Sequence, residues 1–172
     1  MNARKRVAIP VRPEPGSDLP EAERRAVRES VQQNRALEGN LLPILHAIQD
    51  RLGWIPPRVI ALIAFELNLS RAEVHGVISF YHYFRQHAPG QHLIYLCRAE
   101  ACQAVGAVEL EAHAKRALGV EFHGTSSDGR YTLEPVYCLG NCASGPSLLV
   151  DGELHGRMTP QRFDALIARD GK

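Results

Sequence analysis

All four cysteines of this chain fall in two short loops, Cys97-x4-Cys102 and, after thirty-five intervening residues, Cys138-x3-Cys142. Two closely spaced pairs with no thiol left over constrain the fold more than any other feature. Both loops must reach one place before four thiolates can share a site. Arg4, Lys5 and Arg6 are followed by no hydrophobic stretch, so the start is not a secretory signal. Glu14, Asp18 and several prolines argue against a transit peptide. No apolar run approaches the roughly 20 residues that span a bilayer. A cytoplasmic chain is expected, and reduced thiols in pairs there point to metal or redox chemistry rather than disulfides. The net charge of +1 gives no electrostatic case for nucleic acid or a membrane surface. With 172 residues, the chain can bury one core plus a smaller second one.

Composition and periodicity divide the chain in three. Residues 1–20, rich in Pro, Arg and Glu, read as a disordered tail. Residues 21–87 read as a helical N-terminal domain. Its first segment, Glu21 to Arg35, is charged and weakly helical. Asn40 can then cap a helix with Leu41, Leu45, Ile48 and Leu52 on one face, stopped by Gly53. Pro56-Pro57 opens a second, with Ile60, Ile63 and Leu67 inward, ended by Asn68. Ser70-Arg71-Ala72-Glu73 is a capping box, starting a helix with Val74, Val77, Ile78 and Tyr81 inward. Ala88-Pro89-Gly90 marks a boundary.

Residues 91–172 change period. His92 to Leu96 reads as a strand that runs directly into Cys97. Residues 102–118 read as a helix, with Ala107, Leu110, Ala114, Ala117 and Leu118 on one stripe and Gly119 as its stop. Tyr131 to Tyr137 is a second strand ending at Cys138, and Pro135 within it predicts an edge position or irregular entry. Asp151-Gly152 joins a hairpin of 147–150 and 153–156. Thr159-Pro160 opens a last helix with Phe163, Leu166 and Ile167 inward. The fold class is α/β, in the order β-α-β-β-α after the helical bundle. The strand–helix–strand crossover predicts a parallel pair.

Parallel neighbours would bring the two cysteine loops together at one end of the sheet, two ligands from each. Three occupancies compete. Structural zinc usually takes two-residue gaps within its cysteine pairs. The gaps here are four and three residues. A disulfide framework is disfavoured by compartment. A [2Fe–2S] cluster, each iron taking two thiolates, tolerates wider loops, so ligand type and spacing favour it with zinc as the remainder. Plant-type ferredoxin spacing fails, because Val105 stands where its next cysteine would be. Gly140 and Gly145 are expected to let backbone N–H groups approach the sulfurs, with the helix start near Cys102 favouring negative charge. Arg98 is either a charge near the site or an exposed loop arginine.

The motifs then match a family. Cys97-x4-Cys102 after a strand, with Leu133-Glu134-Pro135-Val136-Tyr137-Cys138-Leu139-Gly140-Asn141-Cys142, resembles the thioredoxin-like [2Fe–2S] ferredoxins of the complex I small iron–sulfur subunit type. Gly53-Trp54-Ile55-Pro56 and the run from Val74 to Phe84 match too, and the resemblance extends from about residue 38 to 168. It implies a thioredoxin-like domain in which Cys97, Cys102, Cys138 and Cys142 ligate one [2Fe–2S] cluster. Cys97-Arg98-Ala99-Glu100-Ala101-Cys102-Gln103 looks most like the gamma subunit of soluble NAD-dependent formate dehydrogenase. That likeness implies a partner subunit holding FMN and NAD and a molybdenum subunit beyond it. This chain would transfer electrons without catalysing bond chemistry. The equivalent subunit of complex I or of an NAD-linked hydrogenase is the alternative, and a zinc-stabilised adaptor a further one.

Other features have plainer readings. His75, His82 and His87 share no helical face with a carboxylate pair and read as surface or interface residues. Phe80 is expected to pack within the helical half, with Tyr81 and Phe84 shared with a partner, and Trp54 to anchor a core or domain junction. No Walker or G-x-G-x-x-G pattern occurs, so nucleotide is expected on the partner. The isomer of the bond before Pro146 is not readable from sequence.

Overall fold

The structure is a computed structural model that describes residues 15–169. The chain divides into two compact units that meet in sequence between Ala88 and Pro89. Of the expected tail, residues 1–14 lie outside the described residues. The remainder of it makes a turn, and Leu19 is buried against the helical core.

The first unit is a helical bundle of α1 (Glu21–Asn34), α2 (Leu41–Leu52), α3 (Ile60–Leu67) and α4 (Arg71–Phe80). Gly53 ends α2 in the left-handed conformation at φ 80°, its N–H donating to Gln49 O. Asn68 ends α3 the same way at φ 54°. A 3-10 turn over Pro57–Val59 precedes α3, because proline fixes φ and lacks an N–H. The Ser70–Glu73 capping box is formed reciprocally. Val27, Ile44, Leu45, Ile48, Leu62, Ile63, Val74 and Ile78 fill the core. Each such side chain contributes about 1.5–3 kcal/mol relative to exposure.

Two expectations for α4 are corrected. The helix stops at Phe80, and Tyr81 turns into extended backbone. Helical spacing therefore no longer places the aromatics beyond it. Phe80 is 73% exposed and Tyr81 is exposed too, whereas Phe84 is buried. The buried Gln49 carboxamide fixes this exit: its Nε2 donates to Tyr83 O at 3.0 Å and its Oε1 accepts from Arg85 N at 2.8 Å. Trp54 is half-buried, with the Arg58 guanidinium 5.8 Å from its ring centre.

The second unit is a five-stranded sheet in the order β2-β3-β1-β4-β5. Its strands are β1 (His92–Cys97), β2 (Gly124–Thr125), β3 (Tyr131–Val136), β4 (Leu148–Val150) and β5 (Glu153–His155). β1 and β3 are parallel, in register from His92↔Tyr131 to Cys97↔Val136. The other pairings are antiparallel. β2 reaches only Thr132 and Leu133, so Pro135 lies on the part of β3 that is an edge. Three helices belong to this unit: α5 (Glu100–Gln103), α6 (Ala107–Leu118) and α7 (Pro160–Arg169). The single helix expected over 102–118 is thus two. Gly106, at φ 104°, separates them. Ala117 is exposed rather than inward, and α6 buries Ala107, Leu110, Ala114 and Leu118. Ile94, Leu96, Leu133, Leu148, Phe163 and Leu166 complete the core with them.

Candidate metal centre

The parallel register decides where the thiols go. Cys97 is the last residue of β1, and Cys138 follows the end of the neighbouring β3 by two residues. Both loops therefore leave the same end of the sheet. Cys102 lies in α5, and Cys142 opens a 3-10 turn over Cys142–Ser144. Cys97 and Cys102 are each 2% exposed, packed with Ala107 and flanked by Ala99, Val136 and Leu139. Cys138 and Cys142 are exposed, with their sulfurs 3.6 Å apart. All four are free thiols.

The thiol electrostatics follow from the closeness of the two loops. Burial pushes the Cys97 thiol up, but N–H groups of Ala99, Leu139 and Cys138 and the Cys102 thiol outweigh it, so it lies below the usual thiol range. Two of those donors come from the other loop. Burial raises Cys102, reinforced by its bond to Cys97 and by charge on Cys97 and Cys142, against the Ser147 N–H. Cys142 is raised first by its bond to Cys138, then by charge on Cys138 and on Cys97. Each of these thiols thus feels a cysteine of the opposite loop.

The local backbone is built for this approach. Gly140 N–H donates to Cys138 Sγ at 3.3 Å. Gly145 acts differently from the expectation: its N–H goes to Cys142 O, and its use is space. A Cβ there would lie 3.4 Å from Cys102 Sγ and 3.0 Å from Val105 Cγ2. The bond between Gly145 and Pro146 is cis. Cys138 itself has φ 115°, a conformation that costs a side-chain-bearing residue about 1–3 kcal/mol and is kept where the surroundings impose it. Arg98 Nε donates to Glu111 at 2.9 Å, and its guanidinium lies 5.1 Å from the Phe122 ring centre.

The donor set is entirely soft thiolate, which suits zinc or iron–sulfur and excludes hard oxygen-loving cations. Among the described residues, no three His, Cys, Asp or Glu side chains form a group able to hold a single metal ion. The thiols stand as two pairs. Two ligand pairs with backbone N–H groups aimed at sulfur fit a [2Fe–2S] centre.

The sequence profile of thioredoxin-like [2Fe-2S] ferredoxins matches residues 27–170. The chain belongs to this family. Relatives of this ferredoxin include the E subunit of NADH-quinone oxidoreductase from Escherichia coli (strain K12), 31% identical over 152 residues, covering 88% of this chain and 92% of that protein. NADP-reducing hydrogenase subunit HndA of Solidesulfovibrio fructosivorans is 29% identical, covering 87% of this chain and 88% of that protein. A crystal structure of NAD+-reducing [NiFe]-hydrogenase in the air-oxidized state contains a similar chain, with TM-score 0.63 and 26% identity. That match covers 75% of this ferredoxin but only 22% of the hydrogenase chain.

Histidines take structural places in this ferredoxin. His92 meets Asp151 at 2.7 Å, His113 meets Asp164 at 2.6 Å and His123 meets Glu134 at 2.6 Å. Sequence reasoning missed Asn141, Ser147 and Gly156, which brace the second cysteine loop. Asn141 and Ser147 are small polar residues without periodicity, signalled only by their closeness to Cys142, and Gly156, after β5, carries no such signal.

Proposed function

We propose that this chain is an electron-transfer subunit whose Cys97, Cys102, Cys138 and Cys142 hold one [2Fe–2S] cluster. The observation that carries this is the convergence of both cysteine pairs at the same end of adjacent parallel strands. A bound [2Fe–2S] cluster supplies storage and transfer of one electron at a time. The chain's own residues do the rest. Cys97 and Cys102 anchor the buried side, in an apolar shell that limits water. Cys138 and Cys142 present the other side at the surface, where a partner's redox group can approach. Four protein thiolates leave no open ligand position for substrate, so bond chemistry belongs to a partner.

The partner in this proposal is a subunit that holds FMN and NAD. The electron source is formate, oxidised by a molybdenum subunit of a cytoplasmic NAD-dependent formate dehydrogenase. Formate loses two electrons and a proton as it becomes carbon dioxide, and NAD+ gains two electrons and a proton. The loop from Cys97 to Gln103 supports this assignment. A second reading, the equivalent subunit of complex I or of an NAD-linked hydrogenase, is favoured by the names of the relatives. Purifying the tagged full chain with its bound subunits and assaying dye reduction by formate, NADH and hydrogen separates the two. Formate-dependent reduction supports the first. Hydrogen-dependent reduction, or NADH-dependent reduction alone, contradicts it.

A further inference from the structure

Ser147 is 1% exposed and touches both cysteine loops. Its carbonyl accepts the N–H of Cys97 at 3.1 Å. Its hydroxyl accepts from Asn141 Nδ2 at 3.1 Å and donates to Ser144 O at 3.4 Å. Asn141 is the residue directly before Cys142. The backbone N–H of Ser147 also acts on the Cys102 thiol. The hydroxyl thus ties Asn141 to the residue whose carbonyl holds Cys97, while a longer side-chain contact, Arg98 Nη1 to Tyr137 Oη at 3.5 Å, links the loops on the Cys138 side. The segment after β5 closes over this junction: Arg157 N–H donates to Ser144 O at 2.6 Å, and Met158 N–H to Pro146 O at 3.0 Å. Gly156 makes that closeness possible, since a Cβ there would stand 2.7 Å from Asn141 Nδ2.

We propose that Ser147, held by Asn141, is the positioning residue that fixes the two cysteine loops against each other and thereby sets the reduction potential of the cluster they hold. This rests on the cluster assignment made above. N–H groups aimed at sulfur stabilise the more negative, reduced state, and second-layer partners of metal ligands set how well those groups are aimed. Removing the hydroxyl keeps the backbone bond from Cys97 to Ser147 but leaves Asn141 without its acceptor, untying the residue beside Cys142 from the residue that holds the first loop. The N–H groups reaching across the loops lose alignment, and the potential falls.

The test uses the full chain, reconstituted anaerobically with iron and sulfide, in native, Ser147→Ala, Asn141→Ala and doubly substituted forms. Each is poised at the native midpoint, and the reduced cluster is counted by EPR. The ratio of reduced to oxidised cluster is expected to fall about fivefold to tenfold in each single variant. Tenfold corresponds to about 59 mV for one electron. The double variant is expected to shift no further than either single one, because both changes break the same link. Thermal unfolding of the metal-free forms separates this from a purely structural role, which would lower the melting temperature and leave the ratio unmoved. Should Ser147→Ala fail to fold, the half-buried Asn141→Ala carries the comparison. Unshifted ratios in folded variants, or shifts that add, overturn the inference alone. A native chain that takes up no cluster overturns the cluster assignment and this inference with it.

Discussion

Replacing Gly156 by Ala places a methyl group 2.8 Å from the Ser144 carbonyl oxygen and 3.0 Å from Ser144 Cβ. The carbonyl is backbone and cannot rotate aside as the Asn141 carboxamide can. The segment after β5 must therefore lift from the second cysteine loop. Overpacking of this kind costs about 1–3 kcal/mol. Lifting also weakens the Arg157–Ser144 and Met158–Pro146 hydrogen bonds, each worth about 1 kcal/mol net. Gly156 has no positive φ, so alanine also gains about 0.5 kcal/mol by restricting the unfolded chain. The net expectation is a loss of about 2–4 kcal/mol, a large share of a small domain's stability. Native-state hydrogen exchange of the most protected β1 amides reads it out. Their protection should fall at least about thirtyfold, since 1.4 kcal/mol is a factor of ten. Unchanged or increased protection would refute the close approach on which the bracing rests.

Gly76 should respond with the opposite sign. It lies inside α4 with nothing within 4 Å of an added Cβ, so Gly76→Ala should stabilise the helical unit by about 1 kcal/mol, read by urea unfolding. Ser70→Ala removes the cap of the same helix and should cost about 1 kcal/mol in the same assay. The N–H and hydroxyl of Ser70 hold the Glu73 carboxyl below the usual carboxylate range. A lowered folded pKa means this stabilisation is present above the ordinary carboxylate pKa and is lost as pH falls through the lowered one. An NMR titration showing Glu73 protonating no lower than in the Ser70→Ala variant would contradict it. In the metal-free chain, Cys138 and Cys142 should alkylate well before the buried Cys97 and Cys102, with mass spectrometry giving the order.

The elements that carry the site were legible because each has a strong local signal. The apolar run before Cys97 makes a strand, a crossover of this length makes a parallel pair, and together they put both cysteine loops at one end of the sheet. Gly53, Asn68 and the capping box mark helix ends by backbone chemistry that needs no tertiary help. The failures share a different cause. Helical spacing continues in the residue pattern through Gly106 and past Phe80, where the backbone leaves the helix. The two-residue β2 is too short for any period. Phe84, Gln49 and Ser147 owe their burial to chain reversals and long-range hydrogen bonds, which sequence order does not display. The half-exposed character of the cysteine site was equally hidden, since all four residues are the same type and differ only in what packs over them.

The central claim is that this one chain holds a [2Fe–2S] cluster on its four cysteines. Iron and acid-labile sulfide should be counted in the anaerobically reconstituted full chain, alongside EPR of the dithionite-reduced sample and of its Cys138→Ala variant. The account predicts two irons and two sulfides per chain, with a reduced-cluster signal that Cys138→Ala abolishes or alters. A colourless chain that retains zinc without sulfide, or an unchanged signal in Cys138→Ala, would contradict it.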